Sequence, residues 1–170
     1  DGGHTWDAPY DIPLLGRPVI KGAILCPRRR IIHLGGESYI LLVYGSFDRK
    51  EASRSMVFRT DDAFRTMYYY STIAAWKTEM ENKAGATETD FVRTADGRLL
   101  AMIRNESFCP MYQAFSDDDG LTWSPAEIGA GAGVNPALVK LENGVIACSY
   151  GRPGVMVAFS ETDGRSWRQR

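Results

Sequence analysis

Ser116-Asp117-Asp118-Asp119-Gly120-Leu121-Thr122-Trp123 reads Ser-x-Asp-x-Gly-x-Thr-Trp, and that spacing describes a tight turn between two antiparallel strands. The Ser and Asp side chains can accept hydrogen bonds from amides of their own turn. Gly120 allows a positive φ without a Cβ clash. Trp123 re-enters the following strand, where it can wedge between neighbouring sheets. Three further versions follow from the same template. Asp1-x-Gly3-x-Thr5-Trp6 is the tail of one. Ser160-Glu161-Thr162-Asp163-Gly164-Arg165-Ser166-Trp167 is another, with Thr162 in place of the Asp. Thr60-Asp61-Asp62-Ala63-Phe64-Arg65-Thr66-Met67 is the most degenerate, with Phe64 for Gly and Met67 for Trp.

The last residues of these turns are Trp6, Met67, Trp123 and Trp167, at intervals of 61, 56 and 44 residues. Such a period implies propeller blades or an array. Between the turns a hairpin recurs. Thr89–Arg104 reads as strand, Asp96-Gly97 turn, strand, and Asn135–Tyr150 repeats it around Asn143-Gly144. Gly22–Cys26 followed by Tyr39–Tyr44 reads as the same hairpin with a longer, basic turn containing Arg28-Arg29-Arg30. A third strand follows each hairpin, at Ser55–Arg59, Met111–Phe115 and Val155–Phe159. The Ser/Asp turn closes it, and a fourth strand begins near the Trp. Four antiparallel strands per repeat make a propeller blade. The expected fold is therefore all-β, with about three blades over residues 1–170. Propellers close with roughly four to eight blades, so the chain reads as one domain that is part of a larger propeller, truncated at both ends. Ala75–Thr87 is an inter-blade loop.

These turns resemble the Asp-box repeat of the sialidase (BNR-repeat) superfamily. The resemblance covers nearly the whole chain and implies a six-bladed propeller when complete. It also implies that the box is structural, so no chemistry is placed on Asp118 or Asp62.

Strand direction alone divides the blade into two rims. The Asp-Gly turn and the Asp box share one. The start of the first strand, the end of the second and the inter-blade loops share the other, which collects Lys21, Tyr44, Trp76, Glu88, Arg104, Asn135 and Arg152. Glu88 lies eight residues before Asp96 and Arg104 eight after it, so they are neighbours. Asn135 is the repeat equivalent of Glu88, and Arg152 stands close to the equivalent of Arg104. By resemblance, Glu88 matches the sialidase Glu that polarises a tyrosine nucleophile. Arg104 and Arg152 match members of the arginine trio that grips the substrate carboxylate, and Asn135 and Lys21 are candidate substrate contacts. Guanidinium forks hold a carboxylate bidentately, and a carboxylate can take a proton from a tyrosine. Sialidases depart from the two-carboxylate glycosidase plan in this way. The family's Arg-Ile-Pro signature, its acid/base Asp and its nucleophilic Tyr have no match here. Tyr68, Tyr69 and Tyr70 read as sheet residues. Each candidate has a plainer alternative: a solvated strand-end carboxylate for Glu88, a paired structural arginine for Arg104, turn capping for Arg152 and backbone satisfaction for Asn135.

Composition narrows the function classes. The chain is 44% hydrophobic and 24% charged, with a net charge of −1. These are globular values, and the charge offers no case for nucleic-acid binding. The apolar runs are too short to span a membrane as a helix. Cys26, Cys109 and Cys148 form no metal pattern, and no metal or cofactor is implied. Cys148 reads as a small buried hydrophobe. The functional expectation is a sialidase-like exo-glycoside hydrolase acting on glycan termini, with the 170 residues alone inactive. The alternatives are a non-catalytic Asp-box propeller that binds a glycan or peptide, and a purely structural fragment. The expected partners are a carbohydrate substrate and the remainder of the propeller or a second copy. The resemblance implies a secreted or periplasmic location.

Overall fold

The computed structural model describes residues 3–16, 23–48, 51–76, 85–105 and 109–169. Its strands in chain order are β1 (Leu14–Leu15), β2 (Ile24–Gly35), β3 (Ser38–Ser46), β4 (Arg54–Thr60), β5 (Met67–Ala75), β6 (Thr87–Arg93), β7 (Leu99–Arg104), β8 (Pro110–Ser116), β9 (Glu127–Ala132), β10 (Val134–Lys140), β11 (Ile146–Gly151), β12 (Val155–Ser160) and β13 (Arg168–Gln169). There is no helix among the described residues. The strands form three sheets, β2-β3-β4-β5, β6-β7-β8-β9 and β10-β11-β12-β13, each an antiparallel meander. The chain is an all-β partial propeller of three blades.

Two details differ from the sequence reading. The two-residue β1 pairs parallel with β5 and adds a fifth strand to the first sheet. Arg28, Arg29 and Arg30 lie inside the long strand β2, not in a turn. The turn falls at Gly35-Gly36, both at positive φ. Two glycines in succession tolerate that left-handed turn, whereas arginines do not.

The sheets stack face to face. Ile40, Leu42, Val57 and Ile73 of the first sheet pack with Phe91, Leu99, Ala101 and Ile103 of the second. Leu100, Met102 and Met111 of the second pack with Leu138, Ile146, Cys148 and Ala158 of the third. Side chains alternate across a strand, so the run Leu99-Leu100-Ala101-Met102-Ile103 supplies both interfaces, and all five residues are fully buried. Full burial of each large apolar side chain contributes roughly 1.5–3 kcal/mol. Cys148 is one of the buried set, and burial, aided by Asp90, pushes its thiol up to about 12.

Three complete Asp boxes close the third strands. In the clearest, Gly120 N donates to Ser116 Oγ at 2.8 Å, and Thr122 donates from N and Oγ1 to the Asp118 carboxylate at 2.8 and 2.6 Å. The degenerate box at Thr60 makes the same bonds: Phe64 N to Thr60 Oγ1, and Thr66 N and Oγ1 to Asp62. At Ser160 the Thr162 hydroxyl substitutes for the carboxylate and accepts from Ser166 N at 2.9 Å. Trp123 Nε1 donates to Ser71 Oγ and Gly120 O, and Trp167 Nε1 to Gln113 Oε1, so both indoles bridge adjacent sheets. Trp6 departs from the expectation of a packed indole. It is 87% exposed and donates back to Gly3 O.

Candidate active site

Each blade has an irregularity at the same place on its innermost strand. In the second sheet Thr87 pairs with Arg104 and Asp90 with Met102, so Glu88 and Thr89 together oppose Ile103. In the third, Val134 pairs with Gly151 and Ala137 with Ser149, so Asn135 and Pro136 oppose Tyr150. In the first, Arg28, Arg29 and Arg30 oppose Leu42, one residue more than in the other two. Two residues against one is a β-bulge, a device that re-aims side chains.

Two of the three bulges carry backbone strain. Seven non-glycine residues among those described have positive φ. Ala63, Phe64, Asp119 and Asp163 belong to Asp boxes. The other three are Glu88 (φ 38°), Asn135 (φ 55°) and Arg152 (φ 54°), all selected from the sequence as rim candidates. A left-handed conformation disfavours L-residues with a Cβ and tends to concentrate at functional sites.

The side chains at this rim form one hydrogen-bonded chain. Arg104 Nη1 lies 2.7 Å from Glu88 Oε1, with the two side chains only 17% and 24% exposed. The second oxygen, Glu88 Oε2, accepts from Asn135 N at 3.0 Å. Asn135 Oδ1 in turn accepts from Arg28 Nη2 at 2.7 Å and Arg29 Nη2 at 3.0 Å. Residues of the second and third blades therefore meet on the Glu88 carboxylate, and the first blade joins them through Asn135. Tyr44, near the end of β3, faces the same place. Its phenol is pushed up by burial first, then by Cys26 and by the Glu88 carboxylate, while Arg28, 5.9 Å over its ring, opposes the rise. A phenol so placed stays protonated near neutral pH.

Glu88, Arg104 and Asn135 are thus brought together. Arg152 follows the end of β11, one residue beyond Gly151, which pairs with Val134; it is exposed at the same rim. Lys21 lies outside the described residues. The sequence reading missed Arg28 and Arg29 by placing them in a turn. The Gly35-Gly36 pair carried the signal: counting eight residues back from it lands on Pro27-Arg28, as the same count from Asp96 and Asn143 lands on Glu88 and Asn135.

Arg30 plays a different part. It lays a bidentate fork on Asp90, with Nε to Oδ1 and Nη2 to Oδ2 both at 3.1 Å, and also donates to Leu138 O. Asp90, 1% exposed, accepts from Leu138 N at 2.7 Å. One carboxylate ties three blades.

The opposite rim holds the Asp boxes and the Asp-Gly hairpin. Ala95 N donates to Asp163 Oδ1, and Arg93 pairs with Asp119 at 2.6 Å. Among the described residues no group of three or more His, Cys, Asp or Glu is arranged to hold a metal ion.

A family model described as a BNR repeat-like domain matches residues 1–170. No curated protein matches the chain. Among solved structures, a protein of unknown function from Dyadobacter fermentans is similar at TM-score 0.76 and 19% identity, over 99% of this chain and 49% of that one. A family 117 glycoside hydrolase from the marine bacterium Zobellia galactanivorans is similar at 0.66 and 13%, over 95% and 60%. A Hadza microbial sialidase is similar at 0.56 and 16%, over 85% and 36%. The chain spans about half the length of the first of these and less than two thirds of the others.

Proposed function

The chain belongs to the BNR repeat-like domain family, and from that premise we propose that it forms part of the catalytic propeller of an exo-acting, sialidase-like glycoside hydrolase working on glycan termini. The observation that carries this reading is the Glu88 carboxylate, fixed on both oxygens by Arg104 and the Asn135 amide at a strained bulge on the inner strand. A scaffold has no need for a carboxylate there: the equivalent bulge in the third blade does without one. Glycoside-hydrolase propellers among the structural neighbours support a glycan-directed role.

In this reading Glu88 is the base that draws the proton from a nucleophilic tyrosine supplied by another blade of the whole propeller. Arg104 holds Glu88 oriented through their 2.7 Å ion pair. Asn135 and Arg152 contact substrate from the adjacent blade, and Lys21 from the preceding one. Domain-wise, residues 1–170 are one partial propeller whose partners are the carbohydrate and the remaining blades.

The test is Glu88→Gln in the whole propeller. The amide keeps the shape and removes the base. Release of terminal sugars from a sialoside and neutral-glycan panel should fall by about 10²–10⁴-fold, with stability lowered only by the one acceptor bond, to Arg104 or Asn135 N, that the amide cannot make. Undiminished turnover would remove Glu88 from the mechanism. The 170 residues alone should show no turnover, and robust hydrolysis by them would contradict the proposal that other blades complete the site.

A further inference from the structure

Grooves lie at the β5 and β9 edges of the first two sheets, and they are lined very differently. The first, about 500 Å³, is walled by Trp76, Tyr112, Trp123 and Pro125, with Trp76 set edge-on against Tyr112 at 5.5 Å. The second, about 600 Å³, lies between the second and third sheets. Its lining is Gln113, Glu127, Arg165, Ser166, Trp167 and Gln169, with the backbone of residues 129–131.

Gln113 sets the second groove apart. The residue three places before the box is Val57 in the first blade and Val157 in the third, but Gln113 in the second. A buried amide in an apolar register must have its polar atoms matched. Gln113, 2% exposed, accepts from Trp167 Nε1 at 2.9 Å and donates to Gly164 O at 2.9 Å and Glu127 Oε1 at 3.0 Å. The box alone does not require it, since Trp123 donates directly to Gly120 O of its own box. What the amide adds is a fixed Glu127, whose Oε2 accepts no hydrogen bond among the described residues. An unmatched polar atom lies beneath. The hydroxyl of Tyr150, a residue 4% exposed, makes no full hydrogen bond among the described residues, although the Gln169 amide stands beside it. A Cβ on Gly131 would collide with that amide and that hydroxyl alike, so the glycine keeps the groove open over them.

These groups suit one class of ligand. The indole N–H of Trp167 is turned inward to Gln113, so the ring offers the groove apolar surface. Around it stand a carboxylate, an amide, a hydroxyl and a guanidinium, with Glu127 and Arg165 opposite in charge. A neutral sugar has the matching make-up, a C–H face with a rim of hydroxyls. An added peptide strand would need an evenly spaced row of backbone groups. The β9 edge breaks that row, because residues 129–131 together oppose Met111. We propose that the groove between β9 and β13 binds a neutral oligosaccharide. Trp167 lies under a sugar ring, Glu127 accepts from its hydroxyls, and Gln169 and Tyr150 meet a hydroxyl at the Gly131 end. The site is distinct from Glu88, which belongs to β6 at the other edge of the second sheet, and it does not depend on the catalytic reading.

The experiment titrates the full chain with neutral hexasaccharides of glucose, mannose, galactose, xylose and arabinose by calorimetry, with tryptophan fluorescence followed in parallel. At least one should bind saturably, with a fluorescence change that is lost in Trp167→Phe, which keeps an aromatic wedge. Glu127→Ala, at an exposed position, should weaken that binding by about tenfold. Gln169→Ala should weaken it by a smaller factor, and serves alone if Glu127→Ala fails to fold. Glu88→Gln should leave it unchanged. No saturable binding of any hexasaccharide overturns the proposal, as does binding that survives both groove variants. Binding abolished by Glu88→Gln puts the sugar at the other rim and overturns it too. Tighter binding of a neutral threonine-valine hexapeptide than of every hexasaccharide makes the groove a peptide site instead.

Discussion

Arg104 meets Glu88 through one 2.7 Å contact at the head of a strand, and the same pair could serve a blade or a substrate. Lysine separates the two roles, since it keeps the charge and loses the planar fork. Arg104→Lys should lower turnover of the glycan substrate by about tenfold, because Glu88 is held less precisely, while shifting the thermal midpoint little. A large loss of stability with unchanged turnover would instead identify Arg104 as a clamp between strands. Glu88, Arg104 and Asn135 were legible in the sequence because counts from an Asn-Gly or Asp-Gly turn fix height on a strand regardless of what the residues do. Arg28 and Arg29 were not, because a run of three charged residues reads as solvated turn until the adjacent Gly35-Gly36 claims that role. The strained φ of Glu88 was equally invisible: nothing in a one-letter code reports a bulge that needs its partner strand to exist.

The Asp box is the element whose rules are clearest, and its three complete copies form a graded series. The carboxylates of Asp118 and Asp62 receive two bonds from the following Thr, whereas Thr162 offers one hydroxyl to Ser166. Thr162→Asp should therefore stabilise the third blade by about 0.5–1.5 kcal/mol, measurable as a raised urea midpoint; a lowered midpoint would show that the box tolerates Thr for a packing reason. Acid should act on the same rim. Asp61 is lowered to about 2 by Arg59, then by Ser38 and Tyr68, and Asp96 to about 2 by Thr94, then by Arg98. The unfolded chain takes up these protons near 3.8, before the folded chain does. Stability contributed by these carboxylates is thus fully present above about pH 5 and is lost as pH falls toward 2. Both groups are partly exposed, so the loss is modest and screened by salt. Urea midpoints between pH 6 and 2 should fall over that window and by less in 0.5 M salt, where the Debye length is roughly 4 Å. The weak box at Thr60 was recognisable in the sequence although three of its five marker positions differ. Its hydrogen-bonding Thr60, Asp62 and Thr66 are present, and those residues make the turn.

At the scale of the molecule, three sheets are joined by interdigitated apolar faces and by one buried ionic junction. Asp90 belongs to the second blade, Arg30 to the first and Leu138 to the third. Asp90→Ala would leave the buried Leu138 amide without its acceptor and remove the partner of Arg30, which is 30% exposed, so the expected loss is about 1–3 kcal/mol. Hydrogen exchange should show protection falling in β2 and β10 together. A loss confined to β6 would mean that the blades are held by their apolar faces alone. The propeller itself was readable because its period is written in turn residues. The junction was not, because Arg30 and Asp90 lie 60 residues apart and only stacking brings them together.

The left-handed backbone at Glu88, Asn135 and Arg152 sets a conflict for anyone wishing to make this protein hardier. Each of these residues stores on the order of 1 kcal/mol that glycine would release. A laboratory selection for heat resistance alone would favour glycine only where that release exceeds the cost of the lost side-chain partners, which at Glu88 is the ion pair with Arg104 and at Asn135 the acceptor of Arg28 and Arg29. Libraries built for thermostability should therefore hold these three codons fixed, and an unexpected gain in melting temperature at any of them would be a warning to assay function before keeping the clone.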